Sequence, residues 1–192
     1  MLGIGILASQ GDFAAHAKML HSLGAGVSEV RTPADVEGLD GLVIPGGEST
    51  TIAKAIERDR LETAISGHAA AGRPLLGTCA GLIICDSEHL GLIDATARRN
   101  AFGRQLQSFE ADLAVEGIGP DLLRAVFIRA PWIERCGTGV EVLASHDGHP
   151  VVARQDGVLV CAFHPELTDD SRLHALFMAM VSTARERVEE RA

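Results

Sequence analysis

Cys79 stands in the stretch Gly77-Thr78-Cys79-Ala80-Gly81, directly after a short apolar run. This is the G-x-nucleophile-x-G form of an elbow, in which small neighbours let a strained turn lift the nucleophile above the carboxyl end of a sheet. The backbone N–H of Ala80 then points toward any oxyanion formed on the attacked carbon, and the start of a helix beyond it favours a thiolate. A small buried thiol in a glycine-flanked turn fits the same residues. A nucleophilic thiol needs a base and a group to orient that base. "CAFHPELT" supplies His164 and Glu166 on either side of Pro165. In an extended segment residues two apart point to the same side, so Glu166 can hydrogen-bond the imidazole of His164 and fix its tautomer; a loop histidine beside a solvated glutamate is the plainer alternative. A third fragment, "GLVIPGGESTTIAK", places Gly47 where a backbone N–H can approach a ligand without a Cβ in the way. With Ala80 it would complete an oxyanion hole. Read alone, Gly46-Gly47 is a tight turn and Ser49 a helix N-cap.

These fragments need a scaffold, and the chain spells one out. Leu2 to Ala8 reads as a first buried strand; Gly11 turns into a helix with Phe13, Ala14, Ala17, Leu20 and Leu23 on one face. Val27 to Arg31 and Gly41 to Ile44 follow as strands, Thr51 to Ala71 as helix in two pieces, Leu75 to Thr78 as a fourth strand, and Ala80 opens the next helix. Strands alternating with helices at this spacing argue a mostly parallel sheet with helices on both faces, a three-layer α/β fold. The second half changes character: 106–115, 122–128, 140–145, 150–154 and 158–162 read as strands, with turn signals at Asp147-Gly148 and Asp156-Gly157, the second closing a hairpin. An antiparallel extension is expected. The C-terminal segment has capping candidates Asp169, Asp170 and Ser171, then a helical stripe of Leu173, Leu176, Phe177, Met180, Val181, Ala184 and Val188 read as core packing.

Composition narrows the classes of function. At 192 residues the chain is expected to form one domain over 1–192, large enough for a core without disulfides or metals. Its net charge of -9, with no basic cluster, speaks against nucleic acid and anionic membranes as partners. Cys79, Cys85, Cys136 and Cys161 show neither CxxC spacing nor disulfide-framework density, and "MLGIGILASQGD" lacks a signal-peptide pattern; the reading is a soluble cytoplasmic protein with reduced thiols. Recurrent metal-ligand spacing is missing, so neither metal nor cofactor is expected.

A glycine-rich loop, a cysteine elbow and a His-x-Glu, in that order at the ends of parallel strands, resemble the class I (triad) glutamine amidotransferase domains, with their flavodoxin-like fold. "LASQGDF", "DGLVIPGGESTT", "LLGTCAGLII", "RRNAFGRQLQSFEADL", "VFIRAPWI" and "FHPELTDD" are similar to the glutaminase subunit of pyridoxal 5′-phosphate synthase, the PdxT family, over nearly the whole chain. The resemblance implies Cys79 as nucleophile, His164 as general acid/base, Glu166 as its orienter and Gly47 and Ala80 as the oxyanion hole. It also implies glutamine-binding roles for Gly47, Glu48, Ser49, Arg104, Ile128 and Arg129. An arginine suits the α-carboxylate, a carboxylate suits the α-ammonium, and Ile128 would contribute backbone. Ser9, where the family has leucine, and Ala15 before His16, where it has an acidic residue, depart from the pattern without touching the triad.

The chemistry so implied is hydrolysis of L-glutamine to glutamate and ammonia through a cysteinyl thioester. Ammonia released into bulk water is mostly protonated, so a partner must receive it in a shielded passage. By resemblance that partner is the synthase subunit of the PdxS family, in a ring-based assembly with twelve of each subunit and the glutaminases on its periphery. Two other classes stay open on the residues themselves. A PfpI-like cysteine protein shares sheet and elbow but leaves the HPE and PGGES fragments unused; a binding module would make Cys79 an inert core thiol.

Overall fold

The computed structural model describes residues 1–102 and 108–190. Its centre is a seven-stranded sheet whose strands are β1 (Gly3–Leu7), β2 (Gly26–Val30), β3 (Gly41–Ile44), β4 (Leu75–Thr78), β9 (Glu141–His146), β10 (His149–Gln155) and β11 (Val158–Cys161), in the order β2-β1-β3-β4-β11-β10-β9. The pairings from β2 through to β11 are parallel, whereas β10 lies antiparallel to both β11 and β9. The burial pattern explains the difference. β3, β4 and β11 are buried at every residue and read GLVI, LLGT and VLVC, as strands covered on both faces must. β9 carries Glu141, Val142 and Ser145 toward solvent at the sheet edge.

The helices α1 (Phe13–Ser22), α2 (Ser49–Arg58), α3 (Glu62–Ala70), α4 (Ala80–Cys85) and α5 (Arg172–Glu189) complete the α/β architecture. α2 and α3 are the two pieces foreseen between Thr51 and Ala71, and the break falls at Arg60, which takes a positive φ of 57°. In α5, Leu173, Phe177 and Val181 are fully buried, but Val188 is 57% exposed. The stripe therefore leaves the core after Val181, about two turns before the helix ends. Asp170, not the N-cap Ser171, serves the first turn of α5, accepting from Arg172 N at 3.1 Å.

Both Asp-Gly pairs close hairpins: Asp147-Gly148 joins β9 to β10 as Asp156-Gly157 joins β10 to β11, and both aspartates take positive φ. Beside the main sheet, β6 (Ser108–Leu113) pairs antiparallel with β7 (Leu123–Ile128). The expected strand over 106–115 is thus shorter, and its first two residues lie outside the described ones. Phe109 and Phe127 stack with centroids 4.5 Å apart, Phe102 packs edgewise against both, and His146 of β9 stacks on them, which fastens this ribbon to the sheet. A second ribbon, β5 (Ala95–Arg98) with β8 (Trp132–Cys136), was not foreseen. Its ATAR half has neither the large apolar residues nor the alternation that signals a strand.

Candidate active site

β4 ends at Thr78, and the chain turns into α4 through Cys79 with φ 48° and ψ −107°. A non-glycine residue there is strained, and the strain is held by its surroundings. Cys79 N donates to Cys161 O of the adjacent strand at 2.8 Å. The flanking glycines are required by space rather than by φ. A Cβ on Gly81 would lie 2.0 Å from Ile44 O, and one on Gly77 would lie 2.8 Å from Gly81 O. Strand and helix therefore approach until only hydrogen fits, which is why the sequence reads G-T-C-A-G.

β11 delivers the second group. After it, Ala162 and Phe163 are buried, His164 N donates to Val126 O at 2.9 Å, and a short 3-10 turn spans Pro165–Leu167. The segment is not extended as expected, because Pro165 presets the backbone of that turn. The imidazole and carboxylate still meet: His164 Nδ1 lies 2.7 Å from Glu166 Oε1. The Glu166 side chain is 1% exposed and that of His164 14%. Burial alone depresses His164, but hydrogen bonding and charge from Cys79 and Glu166 outweigh it and raise the imidazole to about 10.

β3 delivers the loop. Cys79 and His164 both crowd one face of Gly46, since a Cβ there would stand 2.5 Å from His164 Cε1 and 3.2 Å from Cys79 Cβ. Gly47 has φ 142°, and Gly11, φ 90°, lies so close that a Cβ on it would meet Gly46 O at 1.9 Å. The QGD turn after β1 thus backs the PGG turn after β3, and Glu48 N donates to Gln10 Oε1 at 3.4 Å.

Glu48, not Ser49, is the N-cap of α2. Its carboxylate accepts from Thr51 N at 2.8 Å, from Thr50 N at 3.3 Å and from both threonine hydroxyls. Those bonds, led by the Thr50 and Thr51 hydroxyls, lower it to about 2. Glutamate is not among the preferred N-caps, so sequence pointed to the serine beside it. Ser49 is buried and accepts from the Arg99 guanidinium, which also stands 3.7 Å from Glu48 Oε1.

These groups open on one cleft of about 430 Å³, within the range of small-molecule sites. Of the residues singled out in the sequence, Gly47, Glu48, Ser49, Cys79, Ala80, Ile128, Arg129 and His164 line it, and Glu166 stands behind His164. Arg104 lies outside the described residues. Arg129 takes φ 44°, the kind of strained backbone that clusters at functional sites. Gln10, Arg99 and Asn100 also line the cleft and were not singled out. The only signal for the latter two was their place in the RRNAFGRQ fragment.

Comparison with known proteins agrees with this geometry. A family model described as the SNO glutamine amidotransferase family matches residues 6–183. A relative from Geobacillus kaustophilus, named pyridoxal 5'-phosphate synthase subunit PdxT, is 49% identical, with 95% of this chain and 96% of the relative covered. One of the same name from Halalkalibacterium halodurans is 50% identical over 96% and 97% of the two chains. A solved structure described as a glutamine amidotransferase superposes with a TM-score of 0.88 at 45% identity, covering 93% of this chain and 98% of the other. Sequence, cleft and relatives converge, and the chain belongs to the SNO glutamine amidotransferase family.

Proposed function

We propose that this protein hydrolyses L-glutamine to L-glutamate and ammonia, with Cys79 as nucleophile, His164 as general acid/base and Glu166 as its orienter. The observation that carries the reading is the constellation itself: a strained Cys79 at the end of β4, His164 beside it on the same face of Gly46, and Glu166 at 2.7 Å from His164. The Cys79 thiolate attacks the carboxamide carbon of glutamine. The N–H groups of Gly47 and Ala80 stabilise the resulting oxyanion, and the His164 imidazolium protonates the departing nitrogen, leaving a thioester and ammonia. His164 then takes a proton from water, whose oxygen attacks the thioester and releases glutamate and the thiol. The cleft arginines among the described residues, Arg129 and Arg99, together with Arg104, bind the α-carboxylate. Glu48 binds the α-ammonium, and Ser49 and the Ile128 backbone line the bound substrate.

The partner is a PdxS-type synthase subunit that takes up the ammonia to build pyridoxal 5′-phosphate, in an assembly of twelve copies of each in the cytoplasm. Full-length similarity to relatives named pyridoxal 5'-phosphate synthase subunit PdxT supports the choice of partner. In the described residues no helix is long and apolar enough to cross a membrane. A PfpI-like reading is disfavoured because it leaves the buried Glu166–His164 pair without a role.

A glutamine analogue with an electrophilic γ-carbon tests the assignment. Burial pushes the Cys85 thiol up to about 12 and Cys161 well above the ordinary range, so neither reacts at neutral pH. Peptide mapping is expected to find one adduct, on Cys79, protected by excess glutamine. Labelling of Cys136 in preference to Cys79 would overturn it.

A further inference from the structure

Only one oxygen of Glu166 is occupied by His164. The other, Oε2, is buried and lacks a hydrogen bond of good geometry among the described residues, yet it faces His16 Nε2 at 3.3 Å. His16 comes from α1 and is fully buried. Its Nε2 is also 3.2 Å from Thr78 Oγ1, on the residue before the nucleophile, and its Nδ1 is 2.8 Å from Nε2 of His174, a fully buried residue of α5. His174 Nδ1 has no partner among the described residues.

These contacts select one tautomer for each ring. Burial and the neighbouring imidazoles His174 and His164 hold His16 neutral, and burial depresses His174 to about 4. Each neutral ring has one donor and one acceptor. If His16 carried its proton on Nδ1, a bare Nε2 would face a carboxylate oxygen, lone pair against lone pair, and His174 would be left with a buried N–H on Nδ1 and nothing to accept it. In the opposite arrangement His174 Nε2–H donates to His16 Nδ1, and His16 Nε2–H donates to Thr78 Oγ1 with its positive edge beside Glu166 Oε2 at 3.3 Å. The only atom left unserved is then the bare Nδ1 of His174, and leaving a buried acceptor unpaired costs less than opposing an anion.

We propose that His16 is a positioning residue for the reaction: its Nε2–H, bonded to Thr78 Oγ1, sets a positive edge 3.3 Å from the second oxygen of Glu166, His174 fixes the tautomer that makes this possible, and the carboxylate so placed aims His164 at Cys79. The role rests on Cys79, His164 and Glu166 acting as proposed above. The groups facing Glu166 come from three elements: His164 on its own segment, His16 from α1, and Cys161 from β11, whose thiol the Glu166 charge helps to raise.

His16→Leu removes the donor, whereas His16→Gln places an amide N–H near the position of Nε2. Glutamine turnover by the complex with a pyridoxal 5′-phosphate synthase subunit is expected to lose about 10- to 100-fold in kcat in the leucine variant with KM little changed. The glutamine variant should recover most of the loss. Equal losses in both variants, or none in the leucine variant, would overturn the proposal. The wild type and Cys79→Ala, assayed alongside, report separately on the glutaminase reading. Should the leucine variant fail to fold, long-range ¹H–¹⁵N spectra of the wild-type imidazoles still decide, without activity or partner. His16 must show a protonated Nε2 and a bare Nδ1, and the reverse tautomer would refute the role.

Discussion

At the scale of single residues, glycines decide where the reacting groups can stand. Gly81 and Gly77 let the elbow close on β3 and β4, and Gly46, lacking a Cβ, leaves room for Cys79 and His164 on one face. Gly46 differs from the other two in what a methyl would strike. On Gly81 it meets backbone; on Gly46 it meets chiefly the imidazole of His164, a side chain that can rotate away. Gly46→Ala is therefore expected to keep the fold and to lower kcat by about 100-fold, the usual cost of a 1 Å misplacement at the reacting centre. Thermal melting beside steady-state assay checks this, and full activity would mean that His164 need not occupy the position seen here. The proposed triad was legible because it sits in contiguous fragments, GTCAG and HPE. Arg99 and Gln10 were not, because each reaches the cleft from a loop whose approach only the folded backbone sets.

The parallel half of the sheet could be read from its elements, since buried strands such as LLGT and GLVI and amphipathic helices have distinct periods. The β5–β8 ribbon and the capping of α2 by Glu48 could not, because cross-strand pairing and loop geometry determine them. The elements also place a titratable joint where α1 and α5 meet, at the buried contact of His16 with His174. Because His174 is depressed to about 4 in the fold, against about 6.5 when unfolded, the unfolded chain binds the extra proton first. Its contribution is intact above pH 6.5 and is lost as pH falls toward 4, about 2 kcal/mol at pH 5. Urea unfolding at pH 7.5 and 5 should show that fall, and His174→Leu should reduce it while costing about 1–3 kcal/mol at pH 7.5 through the unpaired His16. An unchanged pH dependence in the variant would contradict the assignment of a neutral buried His174.

Across the whole molecule, three neighbouring parallel strands, β3, β4 and β11, each release one component of the site from the carboxyl end: the Gly46-Gly47 loop, Cys79 and His164. Such an end is where open α/β sheets place their ligands. The strand order brings together residues more than a hundred positions apart, and the antiparallel ribbons flank the cleft with Ile128, Arg129 and Arg99. The central claim is that this arrangement is a cysteine-dependent glutaminase serving a separate synthase. Glutamate release from glutamine by the wild type and by Cys79→Ala, each alone and with a pyridoxal 5′-phosphate synthase subunit, tests it most directly. The account predicts hydrolysis that rises with the synthase and vanishes with the thiol; undiminished hydrolysis by Cys79→Ala, or none by the wild type in either condition, would contradict it.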